Sequence, residues 1–248
     1  MPDEDRVRIY EGLYLSFGSR GFRDFREAYL PDADGFARAL REYDAFYPIY
    51  DLPDSGIRGG DSAFFRRFRR LYPPLSIPNV YCVVGVLDCS TVVSESGILV
   101  GAETFGRTER TVLDVLDSTQ KHRLSPLAPL PGAVMHELTH FQQRAVSEPN
   151  GSLLSKAIRE GVAVLLAELV TGRRDDRAPH IYGDVHEVEV WEAFRAEMGG
   201  SRDGEWLGDH VSKEGLPPNL GGYVGCQICR AFLRRGGQKE GDLGVGGG

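Results

Sequence analysis

His136-Glu137-Leu138-Thr139-His140 is the stretch of this sequence whose residue types and spacing point most directly to chemistry. On a helix, residues four apart lie one turn apart and only about 40° round the axis. His136 and His140 then present two imidazoles to one point, as a metal ion requires. Neutral imidazole suits zinc, and two such nitrogens fill half of a tetrahedral shell. Glu137 lies about 100° round the helix from His136, within reach of a water on the metal without ligating it. Leu130, Val134, Leu138, Phe141 and Ala145 make the back of the same helix apolar. A core-facing back and a histidine-bearing front describe a helix lying beneath a cleft. The plainer alternative is two surface histidines on an ordinary helix.

A second segment bears on that choice. Ala157 to Ala167 is apolar nearly all round and predicts a buried helix, with Glu160 inside it. A buried carboxylate without a partner costs several kcal/mol, so Glu160 needs one. Zinc is such a partner, and 19 residues separate His140 from Glu160. A salt bridge to Arg144 is the alternative. Gly161 removes a side chain where two helices must approach closely. The combined pattern reads as one bound Zn2+ per chain, held by His136, His140 and Glu160.

These residues resemble the gluzincin metallopeptidases. The thermolysin family uses the same five letters, HELTH, followed by a glutamate at the same spacing. The resemblance implies a zincin-like fold, zinc ligation by His136, His140 and Glu160, and peptide-bond hydrolysis with Glu137 as base. It departs one turn after Glu160, where thermolysin-like enzymes carry an acidic residue and this chain has Val164. The wider chain is similar to bacterial predicted zinc-dependent proteases related to gliding-motility lipoproteins. The matching pieces are Tyr81-Cys82-Val83-Val84-Gly85, Gly101-Ala102-Glu103, His136 to Phe141, Arg159-Glu160-Gly161, Tyr182-Gly183 with His186-Glu187, and Gly222-Tyr223-Val224-Gly225. They span roughly residues 80 to 230.

Peptide hydrolysis also needs a donor for the charge that grows on the carbonyl oxygen. Tyr182 and His186, four apart beside Gly183, are the candidates for that catalytic role, with Tyr223 in reserve. A polar surface loop capped by Asp184 is the competing reading of the same segment. In the zincin fold that the resemblance implies, an edge strand pairs with extended substrate. Gly97 to Ala102 is the candidate strand, with an ordinary interior strand equally compatible.

The elements that must position these groups are legible from periodicity. Residues 1–76 read as a helical N-terminal region. Phe36, Leu40, Tyr43 and Tyr47 form one stripe, with Asp32 or Asp34 as cap, and Phe64, Phe65, Phe68, Leu71 and Tyr72 form another. Arg66, Arg67, Arg69 and Arg70 lie mostly off the second stripe and read as a solvated face rather than an anion site. Val80 to Leu87 and Gly97 to Ala102 read as strands, Thr91 to Ser96 as a loop or ragged strand, and Thr111 to Leu116 as periodic. Helices are expected over Gly132 to Val146, Ser152 to Val170 with Gly172 as C-cap, Glu187 to Met198, and Tyr223 to Leu233. Helices, a small sheet and more helices make the class α+β, a single zincin-like domain over 1–235 with the sheet and zinc-binding helices in 77–235. A flexible Gly-rich tail over 236–248 follows.

Composition narrows the function classes. The chain of 248 residues is long enough for a full core, and 41% hydrophobic with 26% charged residues excludes wholesale disorder. A formal net charge of -7 gives no general support to nucleic-acid or anionic-membrane binding, and a peptide or protein substrate is what the resemblance implies. No run of about 18 apolar residues exists, so no transmembrane segment is expected. No signal peptide is seen, so the chain as written reads as cytoplasmic, with the cell envelope open if a leader precedes it. Cys82, Cys89, Cys226 and Cys229 are too few for a disulfide scaffold. Cys82 reads as core, and the Cys226/Cys229 pair as two thiols on one helix face rather than a zinc or redox pair. Trp191 and Phe194 read as core, His122 and His210 as surface. The rival to a peptidase is a non-catalytic zincin-fold interaction or cell-envelope assembly protein. A hydrolase of another amide is a third reading. Cleavage preference and oligomeric state are not written in the sequence.

Overall fold

The computed structural model describes residues 3–16, 18–43, 63–144, 151–174, 178–208 and 216–242. It is mostly helical with one small mixed sheet, and the class is α+β. The helices are α1 (Asp3–Tyr10, continued by a π-helical turn, Glu11–Leu15), α2 (Arg20–Tyr29), α3 (Ala33–Glu42), α4 (Ala63–Leu71), α5 (Ser118–Arg123), α6 (Leu130–Gln143), α7 (Leu153–Thr171), α8 (Ala178–Val185), α9 (Glu187–Glu197), α10 (Gly204–Leu207) and α11 (Leu220–Asp242). The strands are β1 (Asn79–Val83), β2 (Thr91–Val93) and β3 (Gly97–Gly101). The chain forms two compact units, 1–141 and 142–248, and the division falls within the last turn of α6.

In the first unit the sheet order is β1-β3-β2, with β1 parallel and β2 antiparallel to β3. Every residue of β3 is buried. The strand expected as a substrate edge over Gly97 to Ala102 is therefore the central one, and this corrects the expectation. An all-apolar strand buried on both faces belongs in the interior of a sheet. Of Thr91 to Ser96, expected as a loop or ragged strand, Thr91–Val93 is a short edge strand.

Phe22 and Phe25 of α2 pack with Val83, Val86 and Leu99, and Leu15 and Phe36 complete that core. Asp32 caps α3, its carboxylate accepting from the Gly35 amide at 2.8 Å. Tyr47 lies outside the described residues. Phe65 and Phe68 of α4 are buried while Arg66, Arg67, Arg69 and Arg70 are exposed, which is the solvated face that the stripe implies. Leu71 and Tyr72, by contrast, face out, because α4 ends there and the stripe has no further turn to continue on. Cys82 is exposed, not core, because its strand turns that position outward.

β1 stops at Val83 although the apolar run continues to Leu87. The Glu103 carboxylate, wholly buried, accepts the amides of Gly85 at 2.8 Å and Leu87 at 3.0 Å. Those amides bend into a turn with Leu87 at φ 66°, a left-handed conformation that the carboxylate holds in place. Thr111 to Leu116 forms turns rather than a regular element, and the short helix α5 follows it.

In the second unit α7 and α11 pack face to face. Ser152 caps the start of α7 and Gly172, at φ 71°, ends it. A Cβ on Gly161 would lie 2.0 Å from the Gly225 carbonyl carbon, and one on Gly225 would lie 1.7 Å from the Ala157 oxygen. Glycine at both positions is what lets the backbones meet. Gly161→Ala should therefore destabilise the protein. Overpacking against immobile backbone costs about 3 kcal/mol, the top of the usual range. That exceeds the roughly 1 kcal/mol that alanine gains in helix propensity. A net loss of about 2 kcal/mol lowers the melting temperature by roughly 4–8 °C, readable by calorimetry. An unchanged melting temperature would refute the close packing.

Leu153, Phe194, Trp206, Tyr223 and Val224 form the core of this unit. Phe194 is wholly buried, but Trp191 is 38% exposed and is not core. Residue 191 is about 60° round the helix from Phe194 and stacks on its ring at 6.4 Å, at the solvent edge of the buried face. α11 begins one turn before the expected start at Tyr223 and runs on to Asp242, taking in residues 236–242. Residues 243–248 and His210 lie outside the described residues. Among the described residues no helix is long and apolar enough to cross a membrane.

Candidate metal centre

α6 carries the two histidines as the spacing requires. Val134, Met135 and Leu138 are wholly buried and Leu130 is 5% exposed, while His136, Glu137 and His140 are half-buried. Phe141 is half-buried as well, and Ala145 lies outside the described residues. Thr139 closes onto its own helix, its hydroxyl donating to the Met135 carbonyl at 3.0 Å. The Nε2 atoms of His136 and His140 stand 3.0 Å apart, with the rings at 79° to each other. Two Zn–N bonds of about 2.0–2.1 Å at a tetrahedral angle would put their nitrogens about 3.3–3.4 Å apart. The pair is thus close to chelating geometry without rearrangement.

Glu160 is the third member. One ligand atom each from His136, His140 and Glu160 falls within 4.8 Å of the others, so the group can hold a metal ion. Glu160 is half-buried rather than fully buried, a partial correction to the reading of α7 as closed all round. The carboxylate that α7 does bury is Glu168, 9% exposed, and it is paired with Arg230 of α11. Sequence reasoning passed over Glu168, although it is equally a charge in an apolar run.

Glu137 has a neighbourhood of its own. The Thr91 hydroxyl, on β2, donates to Glu137 Oε1 at 3.1 Å. Tyr29 and Cys89 lie close enough to feel the Glu137 charge. Burial pushes the Cys89 thiol up to about 12, and the Glu103 and Glu137 carboxylates add to the shift. Burial likewise raises the Tyr29 hydroxyl, with Cys89 and Glu137 contributing. No spacing rule could have found Thr91, which lies 46 residues from Glu137 in the chain and meets it only where β2 and α6 come together in the fold.

Tyr182 and His186 do share a face, as four-residue spacing implies. Their rings stack at 4.3 Å and 28° at the junction of α8 and α9. Both are half-buried, and Tyr182 leans on the core of the second unit. His186 is not part of the metal-binding group. Tyr223 is 1% exposed and packs on Gly183 and His180. Burial raises its pKa. Cys226 and Cys229 are in no disulfide among the described residues and stand one turn apart on α11, Cys226 buried and Cys229 half-buried.

No family model, curated protein or solved structure matches the chain.

Proposed function

We propose that this chain is a zinc-dependent metallopeptidase. The observation that carries the reading is the convergence of His136, His140 and Glu160, with Glu137 next in sequence to one of them. Two imidazoles and one carboxylate are a donor set suited to zinc, and three protein ligands leave one position open. A zinc held by His136, His140 and Glu160 would supply Lewis acidity and make a nearby water easier to deprotonate. Glu137 takes a proton from the attacking water and passes it to the leaving amine. A closed structural site has no use for that base, which weighs against the interaction-protein reading. β2, the edge strand that carries Thr91, replaces β3 as the strand proposed to line extended substrate.

In this reading Tyr182 or His186 donates to the carbonyl oxygen as negative charge develops on it. Their stacked rings make them one unit rather than two independent groups. Tyr182→Phe and His186→Ala should each lower kcat with zinc content unchanged, since the donor acts in the transition state. A fall of about 10²-fold is expected for the true donor. Wild-type turnover in both variants would remove the pair from the mechanism. The experiment that tests the function itself is a peptide-library digest with wild type beside Glu137→Gln. Cleavage by the first and not the second supports a peptidase, and no cleavage by either points to the interaction protein.

A further inference from the structure

We propose that Thr91 is a positioning residue for Glu137, an inference that rests on Glu137 being the base. The Thr91 hydroxyl donates to Oε1 at 3.1 Å. That bond occupies one carboxylate oxygen and leaves Oε2 to meet the water. A carboxylate on a flexible side chain has to be aimed before it can take a proton efficiently, and one fixed hydrogen bond fixes its plane.

The surroundings of Thr91 suit it to this task. Its backbone pairs with Val100 on the wholly buried strand β3. The preceding carbonyl, of Ser90, accepts the Gly101 amide at 2.9 Å. A Cβ on Gly101 would lie 1.9 Å from the Cys89 oxygen, so the chain before Thr91 is pressed against β3. Upstream, Glu103 pins the turn through the amides of Gly85 and Leu87. Threonine is itself stiff at χ1. The hydroxyl is thus delivered from a fixed backbone by a side chain of little freedom. Hydrogen bonds to charged groups are the stronger class, which is why one hydroxyl suffices to hold the carboxylate.

The test compares Thr91→Val, which keeps the shape and removes the donor, with Thr91→Ser, which keeps the donor. Steady-state cleavage of a peptide found by the library digest should show kcat about 10-fold lower in Thr91→Val. KM and zinc content should be unchanged, and Thr91→Ser should recover most of the rate. A second readout uses the metal-free protein and needs no activity. Denaturant midpoints of Thr91→Val, Glu137→Ala and the double variant form a cycle. The shift caused by Thr91→Val should vanish when Glu137 is already alanine. Wild-type rates in Thr91→Val beside an inert Glu137→Gln would overturn the positioning role alone. So would a serine variant as slow as valine, or strictly additive midpoints. Undiminished cleavage by Glu137→Gln would bring down the base assignment, and this inference with it.

Discussion

Glu137→Gln should keep its zinc and its fold and lose hydrolysis by about 10²- to 10⁴-fold, the usual contribution of a general base. Glutamine preserves the shape of the side chain and can still accept the Thr91 hydroxyl through its amide oxygen. It cannot take a proton from water at neutral pH. The loss should fall on kcat rather than on KM, because the proton moves only on the way to the transition state. Metal content by mass spectrometry and a melting curve establish that nothing else has changed. Equal turnover in the two proteins would mean that Glu137 is not the base.

His140→Ala attacks the site from the other side. Removing one of three ligands should abolish zinc binding, and activity with it. Stability should fall too, because metal binding to the native state is folding free energy. At free zinc 1,000-fold above the dissociation constant that contribution is about 4 kcal/mol. The two variants therefore separate binding from catalysis. Glu137→Gln keeps the melting temperature of the zinc-loaded protein, while His140→Ala drops to that of the metal-free protein and no longer responds to a chelator. A His140→Ala protein that melts like zinc-loaded wild type would contradict the ligand assignment.

Much of this site was legible because it is local. His136 and His140 are one helical turn apart, and helical geometry alone makes them converge. Glu160 was legible for a different reason, as a charge in an apolar helix that demands a partner. Glu168 lies in the same apolar run and demands a partner equally, which Arg230 of α11 supplies. What tertiary packing decides was not legible. Thr91 meets Glu137 across 46 residues, and no periodicity connects them. The sequence of β3 has no polar alternation, the mark of a strand buried on both faces, and that pattern fits a central strand rather than an edge. β1 ends early because of Glu103, a long-range contact that overrides the β-branched run before Leu87. The exposure of Cys82 and Trp191 follows from where each element lies on its core, which residue type alone does not tell.

The central claim is that His136, His140 and Glu160 together hold one zinc. The most direct measurement is zinc per chain, by elemental analysis of the purified and dialysed protein, for wild type, His136→Ala, His140→Ala and Glu160→Ala. The account predicts close to one zinc in wild type and essentially none in the two histidine variants. Glu160→Ala should bind at least 10-fold more weakly, so dialysis should strip it. Wild type without zinc, or three variants that all retain it, would contradict the account.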